Sequence, residues 1–178
     1  MKNSQPEVKL RALEPEDIDL LYEWENDHSI WYVSNTLTPF SKYILKKYIE
    51  NSHLDIYQTK QLRLMIDVCR EADPETVGAI DIFDFDPFHL RAGVGVLIAR
   101  EEDRNKGLAG LALQELIQYA FGILHLHQLY CNISSDNKIS LRLFQEAGFV
   151  ICGKKKDWLK AANGYKDELL LQLIRNGP

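Results

Sequence analysis

Cysteine is scarce in this chain: Cys69, Cys131 and Cys152 are widely spaced and odd in number, which excludes a disulfide-framed scaffold. No C-x-x-C pair and no zinc-type cluster of His and Cys occurs, so no metal is expected and a reduced, cytoplasmic setting fits. Long apolar runs are missing as well. None approaches the ~20 residues of a membrane span, and MKNSQP at the start lacks a signal-peptide core, so no membrane partner is expected. Basic clusters are nearly absent. Lys154-Lys155-Lys156 is the one run, without interleaved aromatics, which argues against a nucleic-acid partner. There is no internal repeat, low-complexity tract or linker, and residues 1–178 read as one domain.

What is present is an ordinary mixture, 46% apolar and 26% charged, with a net charge of −5. The charge is uneven. Residues 1–90 carry 17 acidic and 9 basic side chains (−8), and residues 91–178 carry 9 and 12 (+3). The first half therefore suits cationic partners and the second anionic ones, or the acidity is a solvated surface with no further role.

Val8 to Leu13 alternates and predicts a strand. Glu14-Pro15-Glu16-Asp17 opens a helix that fades near Asn26-Asp27, with Ile18, Leu21, Tyr22 and Trp24 as core candidates. After the turn-rich Asn35–Pro39, a second helix is expected from Ser41 to about Tyr57, apolar at Ile44, Leu45, Tyr48 and Ile49. Leu62–Val68 and Thr76–Phe83 read as a hairpin around the charged turn Arg70–Glu75, broken after Asp86-Pro87. Arg91–Ala99 is a strand, about Leu108–Leu124 a helix, and Gln128–Ile133 a strand. Asn137–Ala147 is a helix capped by Gly148, and Phe149–Gly153 and Lys166–Leu173 are closing strands around Ala162-Asn163-Gly164. The order β-α-α-β-β-β-α-β-α-β-β predicts one mixed α/β sheet.

Arg104-Asn105-Lys106-Gly107-Leu108-Ala109-Gly110 joins a strand to a helix N-terminus. Unpaired backbone N–H groups and the helix dipole favour an anion there. Gly107 and Gly110 permit close backbone approach, and Arg104 and Lys106 add positive charge. The loop matches neither G-x-x-x-x-G-K-[ST] nor G-x-G-x-x-G, so a nucleoside triphosphate or dinucleotide does not suit it.

With Arg-x-x-Gly-x-Ala at 104–109 and Asp136-Asn137-Lys138-Ile139-Ser140…Glu146-Ala147-Gly148-Phe149 downstream, the chain resembles the GCN5-related N-acetyltransferases over nearly its whole length. The resemblance implies a mostly antiparallel sheet of about six to seven strands, about four helices, and two strands splayed around coenzyme A. It implies that the amides of Asn105, Lys106, Gly107, Leu108, Ala109 and Gly110 hold the pyrophosphate of acetyl-CoA. Val96, Leu97 and Ile98 would offer backbone groups to the pantetheine arm and the thioester oxygen, and Asn137 would reach the arm from the other side. Local capping by Asn137 and Ser140 is the plainer reading of those two residues. Lys9–Asp17, Tyr119–Tyr130 and Asn163–Asp167 are similar to the branch that holds spermidine N-acetyltransferases and ribosomal-protein N-terminal acetyltransferases. A homo-oligomer is implied by the same branch.

Amine acetylation needs a neutral amine set against the thioester, a proton acceptor and donors for the oxyanion. Asp81 and Asp84, on or just after the strand before the cofactor strand, could attract the amine or pass its proton to water, or could simply face solvent. Glu23, Glu25 and Asp27 could line the acceptor side, but an exposed helix face is the first expectation for them. Many members of the family place a proton-donating Tyr four residues before the helix-ending Gly, where this chain has Phe144. Tyr130 or a water could substitute, and Tyr130 could equally be a core aromatic. Cys131 and Cys152 read as buried hydrophobes, and His125 and His127 as turn residues. The function expected is acetyl-CoA-dependent acetylation of a primary amine, with a polyamine first, a protein or peptide α-amine second and a non-catalytic acyl-CoA-binding module third.

Overall fold

The computed structural model describes residues 7–34, 36–70 and 73–175. Its strands are β1 (Glu7–Ala12), β2 (Leu62–Arg70), β3 (Asp73–Asp86), β4 (Arg91–Ile98), β5 (Gln128–Ser134), β6 (Val150–Ala161) and β7 (Gly164–Ile174). The helices are α1 (Ile18–Glu25), α2 (His28–Ser34), α3 (Lys42–Glu50), α4 (Ile56–Thr59), α5 (Leu108–Gly122) and α6 (Lys138–Glu146). One seven-stranded sheet runs β1-β2-β3-β4-β5-β7-β6. Every pairing is antiparallel except β4 with β5, which is parallel and covers only Arg91–Gly93 against Gln128–Tyr130. Past Gly93 the two strands part, as the splayed arrangement requires.

Local chemistry sets most of the boundaries. Pro15 begins a turn in which Asp17 accepts from the Glu14 N–H at 2.9 Å, and α1 continues from it. Asn137 caps α6 by accepting from the Ser140 N–H at 3.1 Å, and Gly148, at φ 94°, releases the chain toward β6. Helix α5 buries Leu108, Ala112, Leu113, Leu116 and Ala120, a stripe at helical spacing. Together with Leu141 and Phe144 of α6 it packs on Ile80, Ile82, Val94, Leu129 and Ile133. On the opposite face Leu21, Trp24, Leu45 and Ile49 cover Met65 and Ala79.

Several expectations need correction. The second helix stops at Glu50, because the polar Asn51–His53 forms a 3-10 turn and Asp55 recaps the chain on the N–H groups of Tyr57 and Gln58. Helix α2 has no counterpart in the sequence reading, so the described residues hold six helices, two of them short, instead of about four. Strand β6 runs on to Ala161 and β3 to Asp86. Tyr22, taken as core, is 41% exposed, and Ile44 of the apolar helix positions is 49% exposed. Glu71 and Ala72 of the charged turn, and Asn35, lie outside the described residues.

One polar cluster ties the first strand to the first helix. Arg11 donates to both oxygens of Asp17 (2.7 and 2.8 Å), to Asp67 (2.8 Å) and to the Thr76 hydroxyl (3.0 Å), while Thr76 donates to Asp67 at 2.7 Å. Burial opposes ionisation of Asp17, but Arg11 and the Glu14 N–H outweigh it and hold the carboxyl below its ordinary value. Stability drawn from a depressed carboxyl is complete above the unfolded pKa of ~3.9 and is lost as pH falls through the lower folded value. Arg11→Ala is expected to cost about 3 kcal/mol at neutral pH, by stranding two buried carboxylates. It should also flatten the acid limb below pH ~4, and urea melts across pH check both.

Candidate active site

The parting of β4 from β5 opens a cavity of about 1110 Å³ through the sheet. Val94, Gly95, Val96 and Leu97 line one flank, Cys131, Asn132, Ile133 and Ser134 the other, and Asn137, Ser140 and Phe144 the α6 side. On the opposite side it reaches Trp24, Glu25, Phe40, Tyr48, Arg63 and Asp81, and the closing hairpin adds Trp158, Leu159 and Glu168. It is one continuous space across both faces of the sheet.

Backbone orientation along β4 follows from one bond. Ala99 N–H donates to Val77 O at 3.0 Å, so in this unbroken antiparallel register Leu97 and Gly95 also bond to β3. Val94, Val96 and Ile98 then turn their N–H and C=O groups toward the gap. Of the three β4 residues expected to serve the cofactor, Val96 and Ile98 face the gap and Leu97 faces β3. The Ile98 carbonyl already accepts from Arg104 Nε at 3.1 Å, and the Ala99 carbonyl accepts from the same guanidinium at 2.8 Å. Arg104 therefore braces the loop to the end of β4.

The loop itself turns sharply. Asn105 (φ 59°) and Gly107 (φ 80°) are left-handed, and Gly107 is the N-cap of the 15-residue α5. Leu108, Ala109 and Gly110 form the first turn of α5, where N–H groups lack intrahelical partners. Gly110 faces α6, since a Cβ there would meet Leu143 at 3.8 Å. Lys106 lies 3.5 Å from the buried Asp103 with half its side chain exposed.

On the far side of the sheet, Arg63, Asp81 and Gly95 occupy one row of the register. Arg63 grips Asp81 at 2.7 and 3.0 Å and also donates to Glu25 at the end of α1. Its guanidinium lies 5.7 Å over the Tyr48 ring. Burial opposes the Arg63 charge, but Asp81, Tyr48 and Glu25 outweigh it and raise its pKa. Burial also raises the pKa of Tyr48, with Arg63 pulling the other way. Two carboxylates and one guanidinium leave this wall with a net −1. Glu25 was expected on an exposed face, and the structure turns it inward. Arg63 was not singled out from the sequence, its one signal being a charge inside the apolar run Leu62–Val68, and Tyr48 was read only as an apolar helix position.

Asp84 and Tyr130 meet each other and stand outside the cavity lining. Tyr130 donates to Asp84 at 3.3 Å where β4 and β5 still pair, and Asp84 sits at φ 49° in a β3 irregularity. Burial and then Asp84 raise the Tyr130 pKa, so the phenol keeps its proton. Phe144 is buried edge-to-face on Phe149 at 5.0 Å. Cys131 is buried too, which pushes its thiol up to about 12. Lys154 pairs with Asp167 (2.6 Å) and Lys155 with Glu168 (2.7 Å), so two of the three clustered lysines are bound within the hairpin.

A family model described as an acetyltransferase (GNAT) domain matches residues 7–150. The chain belongs to the GNAT acetyltransferase family. A spermidine N(1)-acetyltransferase of Vibrio cholerae is 26% identical over 177 residues, covering 98% of this chain and 95% of that protein. The Escherichia coli K12 enzyme of the same name is 26% identical over 150 residues, covering 83% of this chain and 75% of that protein. The fold of this GNAT protein also matches the crystal structure of the V. cholerae enzyme in complex with CoA and spermine. There the TM-score is 0.83 at 23% identity, over 97% and 96% of the two chains. This GNAT chain is an N-acetyltransferase. Among its described residues no helix is long and apolar enough to cross a membrane.

Proposed function

We propose that this enzyme transfers the acetyl group of acetyl-CoA to a primary amine, and that the amine is a polyamine such as spermidine. The observation that carries the proposal is the continuous cavity, which joins the open edge of β4 to a wall of net negative charge. The residues present suit the donor. Gly107 takes a left-handed turn that favours glycine, the first N–H groups of α5 converge beside it, and Val94, Val96 and Ile98 present backbone groups along the gap. Acetyl-CoA supplies the activated acyl group and a thiolate that can depart.

Each of the chain's residues then has a stated part. The amides of Asn105 to Gly110 hold the pyrophosphate, with Lys106 adding charge. Val96 and Ile98 align the pantetheine arm by backbone contacts, Leu97 supplies a side chain, and Asn137 and Ser140 close the α6 side. Glu25 and Asp81 attract the ammonium form of the acceptor, Asp81 passes its proton to water so that the neutral amine attacks the thioester, and Arg63 holds both carboxylates in place. Gly95, lacking a side chain in the same row, leaves room for the amine beside Asp81. Phe144 offers no proton. The leaving thiolate, with an unperturbed pKa near ~8.5, departs without a strong acid. We assign Tyr130 and Asp84 to holding the base of the fork, since neither lines the cavity. A homo-oligomer belongs to the same proposal, supported by the dodecameric structure of the V. cholerae spermidine N-acetyltransferase, 25% identical at TM-score 0.77.

The test is release of CoA thiol with spermidine, spermine and a peptide bearing a free α-amine. Spermidine is expected to give kcat/KM at least ~100-fold above the peptide, because a second ammonium gains from the acidic wall. Turnover of the peptide alone would overturn the polyamine assignment.

A further inference from the structure

The closing hairpin brings a second cation-binding arrangement to the same cavity, and the chain's own Lys155 fills it. The Lys155 ammonium donates to Glu168 at 2.7 Å and to Asn132 Oδ1 at 2.9 Å, and lies 5.2 Å over the Trp158 ring. Glu168, Asn132 and Trp158 all line the cavity. A carboxylate, an amide oxygen and an indole face around one nitrogen are the groups that bind an alkylammonium.

The backbone is shaped to assemble them. Between Lys155 and Leu159 the β6 register slips against β7, whose partners step only from Glu168 to Lys166. The slip contains Asp157 at φ 50°, whose N–H donates to Asp167 at 2.9 Å. Bulges of this kind re-aim a side chain beside a site, and here the side chain is Trp158, 60% exposed although it is a tryptophan. Glu168 is 7% exposed. A carboxylate that deep needs a cation, and Lys155, one third exposed on a flexible stem, can surrender its place to another ammonium.

We propose that Glu168, Asn132 and Trp158 form a second ammonium subsite for the acceptor, and that Lys155 is a displaceable stand-in which competes with it. The inference rests on the amine-acetylation reading above. It assigns the distal ammonium of a polyamine to Glu168 while the reacting end lies toward Gly95 and Asp81. Lys155 then sets selectivity, because an acceptor with one nitrogen cannot offer a replacement cation.

Calorimetry of spermine on the full-length enzyme tests this without relying on turnover. Lys155→Met should tighten spermine binding about fivefold, the scale of one partly exposed ion pair. Adding Glu168→Gln to that variant should reverse the gain, and Trp158→Ala alone should weaken binding. Unchanged or weaker binding in Lys155→Met would overturn the proposal, since a merely bracing lysine gives that result. In turnover, the ratio of kcat/KM for spermidine to that for butylamine should rise in Lys155→Met, and an unchanged ratio would overturn the selectivity role. No turnover of any amine would defeat the acetylation reading, whereas the calorimetric result would still decide the subsite. Thermal melts confirm folding, and the exposed Trp158 supplies a variant that does not depend on the buried carboxylate.

Discussion

Arg63→Met is expected to lower kcat/KM for the amine by about 100-fold and stability by about 3 kcal/mol, the cost of removing one member of a desolvated charge group. Arg63 is the guanidinium shared by Glu25 and Asp81, and its side chain is 22% exposed. Without it two carboxylates from different elements, the end of α1 and the middle of β3, face each other. Their repulsion either protonates one or drives α1 off the sheet. The first outcome leaves the wall at net −1 but frees the remaining carboxylate from the guanidinium that fixes its position, and the second widens the cavity. Arg63→Lys keeps the charge but loses the two-pronged grip on Asp81 and should fall between. Amine kinetics and urea melts on the three proteins check this, and a methionine variant as active and stable as the native enzyme would refute it.

Gly78→Ala is expected to cost about 3 kcal/mol or more and to raise the KM for acetyl-CoA. A Cβ on Gly78 would lie 1.9 Å from Leu97 O, 3.0 Å from Leu97 C and 3.1 Å from Ile98 Cα. All three are backbone atoms, so no side-chain rotation relieves the clash and β4 must move from β3. The displaced segment carries the Ile98 carbonyl that Arg104 holds, and the fault would pass to the 104–110 loop proposed to bind the cofactor. Gly153→Ala is the matched control. Its Cβ would meet Leu170 at an ordinary 3.6 Å, and a change within ~0.5 kcal/mol is expected. Denaturant midpoints and acetyl-CoA titrations of both variants decide the point.

Legibility in the sequence followed the range of the forces involved. The turn at 104–110, α5, the Asn137 cap and Gly148 were readable because each is fixed by neighbours within a few positions. Helix α2 was not. His28–Ser34 mixes aromatic and β-branched residues, and its one start signal is Asp27 accepting from the Ser29 N–H. The acidic wall around Arg63 was hidden for another reason. Arg63 and Asp81 lie 18 residues apart, and only the β2–β3 register puts them in one row with Gly95. Lys155 and Glu168 are direct cross-strand partners, but Trp158 joins them through a register slip that alternation alone cannot reveal. Asp84 and Tyr130 were singled out one by one, and the fold joins them to each other instead of to the cavity.

The short β4–β5 pairing has a mechanical consequence. Three residue pairs form the seam between a four-stranded leaf, β1 to β4, and a three-stranded leaf, β5, β7 and β6. The acidic wall belongs to the first leaf and the Lys155 nest to the second. An acceptor that touched both would bridge that seam, and the width of the gap would select its length.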